Sequence, residues 1–332
     1  MDKKLKIGLT FDLKEDYLRL GYTNQEVAEF DAPETIEALE ETIASLGFEV
    51  IRIGNIFDLV GHLNTGKRCD LVFNICEGMY GIAREAQVPC LLDAYRIPYV
   101  FSEPDILNLT LDKGLTKLFL LQAGIPTADF KVISQVSDLS SLNMVFPLFV
   151  KPVAEGTSKG IDGYSLVHNA VKLEETVGYL LKTFHQPVLV ETFLPGREFT
   201  VGITGSGDET KSVGTMEILF NEHAPHPIYS CTVKKDWEKY ASYKIATDQV
   251  ANECASLAIA VWKLIKGKDA GRVDFRLDID GKPNFIEVNP LAGLNPVWSD
   301  LPMLAQMNGI SYRELISEIM ESALQRSRLK NG

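Results

Sequence analysis

The densest run of chemistry-bearing side chains is GRVDFRLDIDGKPNFIEVNPLAG, Gly271 to Gly293. Alternation over Val273–Leu277 reads as a strand that places Asp274 on the face of Arg272 and Arg276. Asp280-Gly281 makes the turn. The return strand Asn284–Val288 carries Glu287, with Asn289 two residues on. A carboxylate opposed by a carboxylate and an amide is a hard oxygen set suited to Mg²⁺, with Mn²⁺ as a substitute. The competing reading is a surface hairpin with one cross-strand Arg–Glu pair. The flanking apolar residues count against it, because unpaired buried carboxylates are costly.

A second run, PLFVKPVAEGTSKGIDGY from Pro147 to Tyr164, delivers Lys151 at the end of an apolar strand. Glu155, Gly156, Thr157, Ser158, Lys159 and Gly160 follow, and Ile161–Val167 reads as a second strand. Glycine amides, two hydroxyls and two lysines form a flap that can close over polyphosphate. A flexible hairpin with an ordinary surface lysine remains the competing reading. GTSKG matches the serine-hydrolase elbow G-x-S-x-G, but that elbow must open into a helix, and a strand follows here. The Walker A pattern is absent from the chain.

These runs need elements to hold them. Lys6–Asp12, Phe48–Gly54 and Asp70–Ile75 read as strands separated by helices near Glu34–Leu46 and Ile56–Leu63, with Asp31 as the first helix's cap. Strand–helix–strand repetition predicts a parallel sheet whose ligand face lies beyond the strands' C-terminal ends. That points to Asp12–Asp31 and to Asn74, Glu77, Gly78, Arg84 and Glu85. By itself EGMYGIAREAQ (Glu77–Gln87) reads more readily as a capped helix start than as a substrate site. Glu103–Thr110 links to a helix Lys113–Ala123, whose first-turn lysine is unfavourable against the helix dipole and suggests a charge answering something else. Strands Phe130–Ile133 and Val188–Glu191 with helix Leu173–Thr183 make a small β-rich lobe. Glu191, Thr192 and Leu194 are expected as an edge with backbone hydrogen bonds and an apolar floor for a base. Glu198 opens the next strand. Asn221–Tyr243 reads as a lid, Thr247–Lys266 as an amphipathic helix, and Tyr312–Leu329 as packing. The expected fold class is α/β with α+β lobes, divided as 1–103, 104–188 and 189–332.

The chain has 332 residues, 45% hydrophobic and 23% charged, with no apolar run long enough for a membrane and no secretory signal. Five scattered cysteines without C-x-x-C spacing read as reduced thiols, hence a cytoplasmic location. A net charge of −12 argues against nucleic acid and anionic membrane as partners.

In their order, VKPVAEGTSKG, VETFLPGREFTV, GRVDFRLD and FIEVNP resemble the ATP-grasp fold and, within it, the D-alanine–D-alanine ligase family. LTLDKGLTKLFLLQAGIPT is similar to the segment that opens the central lobe of those ligases. The resemblance covers nearly the whole chain. It implies an N-terminal parallel α/β domain, with ATP held between the central and C-terminal lobes. It assigns Lys113 and Lys151 to the ATP phosphates, and Glu155, Thr157 and Ser158 to the flap, Ser158 counting also as catalytic. Glu191, Thr192 and Leu194 fall to the adenine, Glu198 to the ribose, and Ile286 to the nucleotide-binding set. Lys234 corresponds to the lid lysine at the γ-phosphate, and Asp274, Glu287 and Asn289 to the metal ligands. Arg272 corresponds to the arginine that steadies the acyl phosphate, and Gly293 to an oxyanion donor. The implied reaction phosphorylates a carboxylate and passes the acyl group to an amine, giving an amide, ADP and phosphate. The resemblance is compatible with a homodimer.

The departures fall on the substrate side. The family's N-T-x-P-G-[ML]-T stretch and its serine–leucine pair are replaced by Asn289-Pro290-Leu291-Ala292-Gly293-Leu294-Asn295-Pro296, with one extra residue before Ser299. Lys235 stands where a lid tyrosine is common, and CEGMYGIAREAQ replaces H-G-x-x-G-E-D-G. Glu29 or Asp31 is the expected grip on the first substrate's ammonium; Glu77, Arg84 and Ser299 are the candidates for rebuilt contacts. The leading expectation is therefore an ATP-dependent carboxylate–amine ligase acting on altered amino-acid-like substrates. The alternatives are a genuine D-alanine–D-alanine ligase, a non-catalytic ATP-binding module and, more remotely, a kinase.

Overall fold

The computed structural model describes residues 4–224, 228, 230, 233 and 237–330. Strands β1 (Lys6–Thr10), β2 (Glu49–Gly54) and β3 (Leu71–Asn74) form a parallel sheet in the order β2-β1-β3. The central strand is buried from Ile7 to Thr10 because packing covers both faces, and its one buried polar side chain, Thr10, donates to Asn74 Oδ1 at 2.9 Å. Ile36, Leu39 and Ile43 of helix Pro33–Ser45 pack on one face, joined by Leu315, Ile316 and Ile319 of helix Tyr312–Lys330. The C-terminal helix thus closes the core of the first lobe. Helix Pro33–Ser45 takes Ala32 as its N-cap with no side-chain cap, so Asp31 does not cap it. The Asp31 backbone is tied instead to the loop after β1, to Asp12 and Lys14.

The second sheet has the order β4-β7-β5-β6, from β4 (Phe130–Ile133), β5 (Leu148–Pro152), β6 (Leu166–Val167) and β7 (Val188–Thr192). Helix Ala170–Phe184, capped by Asn169 and stopped by left-handed His185, lays Leu173, Val177 and Leu180 on it. The expected strand over Ile161–Val167 is mostly absent. A 3-10 turn at Gly163–Ser165 precedes a two-residue β6. β7 is not an edge strand: β4 and β5 flank it on both sides.

The third sheet, in the order β10-β9-β8-β11-β12, is antiparallel. Its strands are β8 (Glu198–Thr204), β9 (Lys211–Phe220), β10 (Ala241–Ile245), β11 (Ala270–Leu277) and β12 (Pro283–Asn289). Helix Gln249–Ile265 starts on an Asp248 cap and buries Cys254, Ala258, Val261 and Trp262 against Phe199, Val201 and Phe275. The lid reading of Asn221–Tyr243 falls in part outside the described residues. What is described ends in a short helix, Trp237–Tyr240, and then β10. Helix Pro104–Leu111 occupies the segment that reads as a link in the sequence, and helix Asp300–Met307 precedes the C-terminal helix.

Candidate functional site

The three sheets surround a cleft of about 1100 Å³. Its wall comes from the loops after β1 and β3, the flap after β5, strands β11 and β12, and the turn leading to Asp300. Loops beyond the C-terminal ends of parallel strands meet here, as sheet topology requires.

The β11–β12 hairpin sets the chemistry. Asp274 pairs directly with Glu287, and Arg272 with Asn289. A bulge then breaks the alternation: Phe275 pairs with Phe285, leaving Ile286 unpaired. Strict alternation would send Ile286 and Glu287 to opposite faces, yet both are partly exposed. Thr200 of β8 donates to Asp274 Oδ1 at 2.9 Å. The Arg272 guanidinium lies 3.4 Å from Asp274 and 3.6 Å from Glu287, and it also pairs with Asp300. The Asn289 amide nitrogen lies 3.5 Å from both carboxylates. Turning that amide over lets its oxygen accept from Arg272 at 3.2 and 3.3 Å, and sets three oxygen donors side by side. The set fits a hard divalent cation. Among the described residues no three His, Cys, Asp or Glu side chains group together to hold a metal. An ion here would rest on two carboxylates, one amide and its other ligands.

Lys113 explains its place in a first helical turn. Its helix is capped by Asp112 (Leu115 N–H to Asp112 Oδ1, 2.9 Å), and its ammonium leaves the helix axis. It donates to the Glu155 carbonyl at 2.6 Å and lies 3.4 Å from Glu287. It thus joins the flap to the hairpin. One turn later comes Lys117, which sequence reasoning missed. Fully buried, it lies 3.0 Å from the Glu191 carboxylate and donates to Thr127 (2.6 Å) and to the Phe285 carbonyl (3.2 Å). Lys151 approaches Glu191 at 2.8 Å. Burial opposes ionisation of Glu191, but the two ammonium groups overcome it and hold its carboxyl down at about 2. The four-residue spacing from Lys113 to Lys117 was the signal available.

Glu191 and Thr192 have their backbones in the sheet ladder, where Phe130 and Phe149 oppose Glu191 and Leu148 opposes Thr192. Leu194, beyond the strand, is the residue of that expected trio outside the sheet. Glu198 pairs with Arg276 at 3.0 Å. Lys151, Ser158, Glu191, Thr192, Leu194, Glu198 and Ile286 do not line the cleft. Lys234 and Lys235 lie outside the described residues.

The flap turns through left-handed Thr157, Ser158 and Gly160. Glu29, from the loop after β1, grips it: its carboxylate accepts from the Gly156 N–H at 2.6 Å and lies 3.4 Å from Lys159. Arg84 donates to both Glu29 oxygens at 3.0 and 3.1 Å and to the Ala154 carbonyl at 2.9 Å. Lys159 also pairs with Glu155 at 2.7 Å. Burial penalises the Glu29 charge, yet Arg84 and Lys159 lower its pKa below the ordinary value. Glu29 and Arg84, both expected at the substrate, therefore spend their charges on each other and on the flap. Asp31, Glu77, Gly293 and Ser299 line the cleft, as does Asp300, which sequence reasoning also missed. Ser299 accepts from the Asn295 N–H at 3.0 Å.

The family described as D-ala D-ala ligase C-terminus matches residues 119–321. The D-alanine–D-alanine ligase of Aquifex aeolicus is 31% identical over 287 residues, covering 86% of this chain and 93% of its own. That of Bordetella petrii is 33% identical over 261 residues, 76% of each chain. In structure, the D-alanine–D-alanine ligase from Bacillus anthracis complexed with ATP matches with a TM-score of 0.73 at 22% identity, over 98% of this chain and 99% of that one. The VanG D-Ala:D-Ser ligase from Enterococcus faecalis matches with a TM-score of 0.74 at 19% identity, over 97% and 100%. The chain belongs to the D-alanine–D-alanine ligase family and has its ATP-grasp fold.

Proposed function

We propose that the protein is an ATP-dependent, ADP-forming carboxylate–amine ligase with amino-acid-like substrates. The observation that carries this reading is the convergence of Asp274, Glu287 and Asn289 beside Arg272, with Lys113 reaching the same carboxylate from the central lobe. A divalent cation held there would supply charge neutralisation for the transferring phosphoryl group. Arg272 would answer the negative charge of an acyl phosphate or tetrahedral intermediate, a reading supported by its place in the cleft lining with Gly293. Lys113 and the flap amides supply fixed donors, and the Glu29 grip on Gly156 closes the flap against water. In the first step a carboxylate oxygen attacks the γ-phosphorus and the bond to ADP breaks. The amine nitrogen then attacks the acyl carbon, loses a proton, and phosphate leaves.

Lys151, Glu191, Leu194, Glu198 and Ile286 are proposed to hold the nucleotide behind the cleft, with Lys234 from the lid. D-alanine with itself is the first substrate pair to test, from the names of the relatives. The rebuilt turn at Asn295–Asp300 favours an altered pair. ADP release tested over acid–amine pairs decides the reading: release that requires both partners supports a ligase. Tight ATP binding without release under every pair contradicts it, as does a stable phosphorylated acid that no amine consumes.

A further inference from the structure

Asp300 reaches Arg272 from the first-lobe side of the cleft. It opens helix Asp300–Met307, whose Leu301 and Ala305 pack in the first-lobe core with Ile36 and Leu39. The turn before it is fixed to the same lobe. Buried Asn295 donates through its side chain to Thr35 at 2.9 Å and accepts the Val297 N–H at 2.9 Å. The Ser299 hydroxyl accepts the Asn295 N–H at 3.0 Å, and the Tyr312 hydroxyl donates to the Leu294 carbonyl at 2.9 Å. First-lobe packing therefore places Asp300, and its charge stands at the favourable, positive end of its helix. From there its carboxylate pairs with Arg272, which belongs to β11 of the C-terminal lobe. Both side chains are largely buried, 12% exposed for Arg272 and 7% for Asp300.

The guanidinium is a planar fork with separate donors, and here its nitrogens face different partners. Nη2 is the nitrogen nearest Asp274, at 3.4 Å, and Glu287, at 3.6 Å. The turned Asn289 amide accepts from Nη2 and Nε. Asp300 meets the other terminal nitrogen, Nη1. The oxygens around Nη2 are the ones proposed to ligate a divalent cation. An ion there draws those lone pairs to itself and repels the guanidinium, since like charges a few ångströms apart in a largely buried site are weakly screened. Cation binding would thus loosen Arg272 just when its charge is needed. A carboxylate outside the ligand set, anchored by a different lobe, opposes that displacement.

We propose that Asp300 is a positioning residue: it holds the Arg272 guanidinium at the cleft wall when Asp274, Glu287 and Asn289 turn their oxygens to a divalent cation. This deepens the ligase reading, on which it rests for the chemistry that Arg272 serves.

The test measures the reactivity of Arg272 toward phenylglyoxal in the full chain, read by mass spectrometry of the peptide that carries it. ADP is present throughout, and Mg²⁺ is added or withheld. Arg326, paired with Asp269, is the internal reference for folding. In wild type, Mg²⁺ should leave Arg272 as protected as before. In Asp300→Asn, which keeps the shape and removes the charge, Mg²⁺ should speed modification several-fold. Asp300→Glu should restore most of the protection. With a substrate pair that supports ADP release, Asp300→Asn should lower kcat at least about tenfold and keep KM for ATP within about twofold. A rise in reactivity that Mg²⁺ does not change would show a purely structural role and overturn the proposal. If Asp300→Asn does not fold, the wild type decides: protection retained with Mg²⁺ supports the hold, and exposure by Mg²⁺ overturns it. Unchanged kcat and reactivity in Asp300→Asn, beside ADP release that needs both partners, removes this inference and keeps the ligase. Mg²⁺-dependent exposure in the variant, with no ADP release under any pair, does the reverse.

Discussion

Lys117 and Glu191 form a buried ion pair, 3.0 Å apart, between the first long helix of the central lobe and the middle of its sheet. The same ammonium reaches the Phe285 carbonyl on β12, one residue before the bulged Ile286. One lysine thus connects the strand that positions Lys151 with the strand that carries Glu287. Removing one partner of such a pair strands the other charge in the interior. Lys117→Met is expected to lower unfolding free energy by about 3 kcal/mol, read from denaturant midpoints.

The same pair fixes a pH dependence. The Glu191 carboxyl sits at about 2 when folded and near the ordinary glutamate value, about 4.3, when unfolded. A depressed carboxyl pKa contributes stability in full above the unfolded value and loses it as pH falls toward the folded one. Thermal midpoints of the wild type should therefore fall between about pH 5 and 2. Glu191→Gln, which has no charge to lose, should show a flatter acid limb. Parallel limbs would contradict the assignment.

Asp31 makes the opposite prediction. Its folded pKa of about 7 lies above the unfolded value of about 3.9, so the folded state prefers the proton. That preference costs nothing below pH 4 and grows as pH rises toward 7. Asp31→Asn should leave the melting midpoint unchanged at pH 4 and raise it by a few degrees at pH 8 in the absence of ligand. A gain that is the same at both pH values would show that the carboxyl is not held protonated.

The Glu29 grip can be tested without knowing the substrates. A Cβ on Gly156 would sit 2.5 Å from Glu29 Oε1, so Gly156→Ala must push that carboxylate away. Glu29→Gln removes the charge that holds Arg84 and Lys159. Both variants should let trypsin cut after Lys159 several-fold faster than in wild type, because opening of the flap governs cleavage there. Unchanged cleavage would mean that the flap is held by its own turn.

Glu287→Gln and Asp274→Asn should each lower ATP turnover at least about 100-fold with the fold retained, since both remove charge from the set proposed to hold the cation. Lys151→Ala is a less specific probe. Its partner Glu191 would keep only Lys117, so lost stability would accompany lost turnover.

Much of this architecture was legible in the sequence because it rests on local periodicity. The three parallel strands, helix Gln249–Ile265 and the Asp274–Glu287 hairpin follow from alternation, caps and turn glycines. The bulge was not legible, since one extra residue at Ile286 leaves no mark on apolar alternation. The interior position of β7 was hidden because its neighbours, β4 and β5, are set by tertiary packing. Glu29 and Arg84 were picked out as charged residues beyond strand ends, which is where they stand. That they bind each other across 55 positions is a long-range fact no spacing records. Lys117 and Asp300 were passed over because a lysine on a helix and an aspartate at a helix start are ordinary surface residues until burial is known.

The most direct test follows oxygen. A carboxylate substrate labelled with ¹⁸O is incubated with the enzyme, ATP, Mg²⁺ and an amine, and the released phosphate is weighed by mass spectrometry. An acyl phosphate leaves one labelled oxygen in each phosphate, matched one-to-one by ADP and amide, and only when acid and amine are both present. Unlabelled phosphate, or no release with any acid–amine pair, would contradict the account.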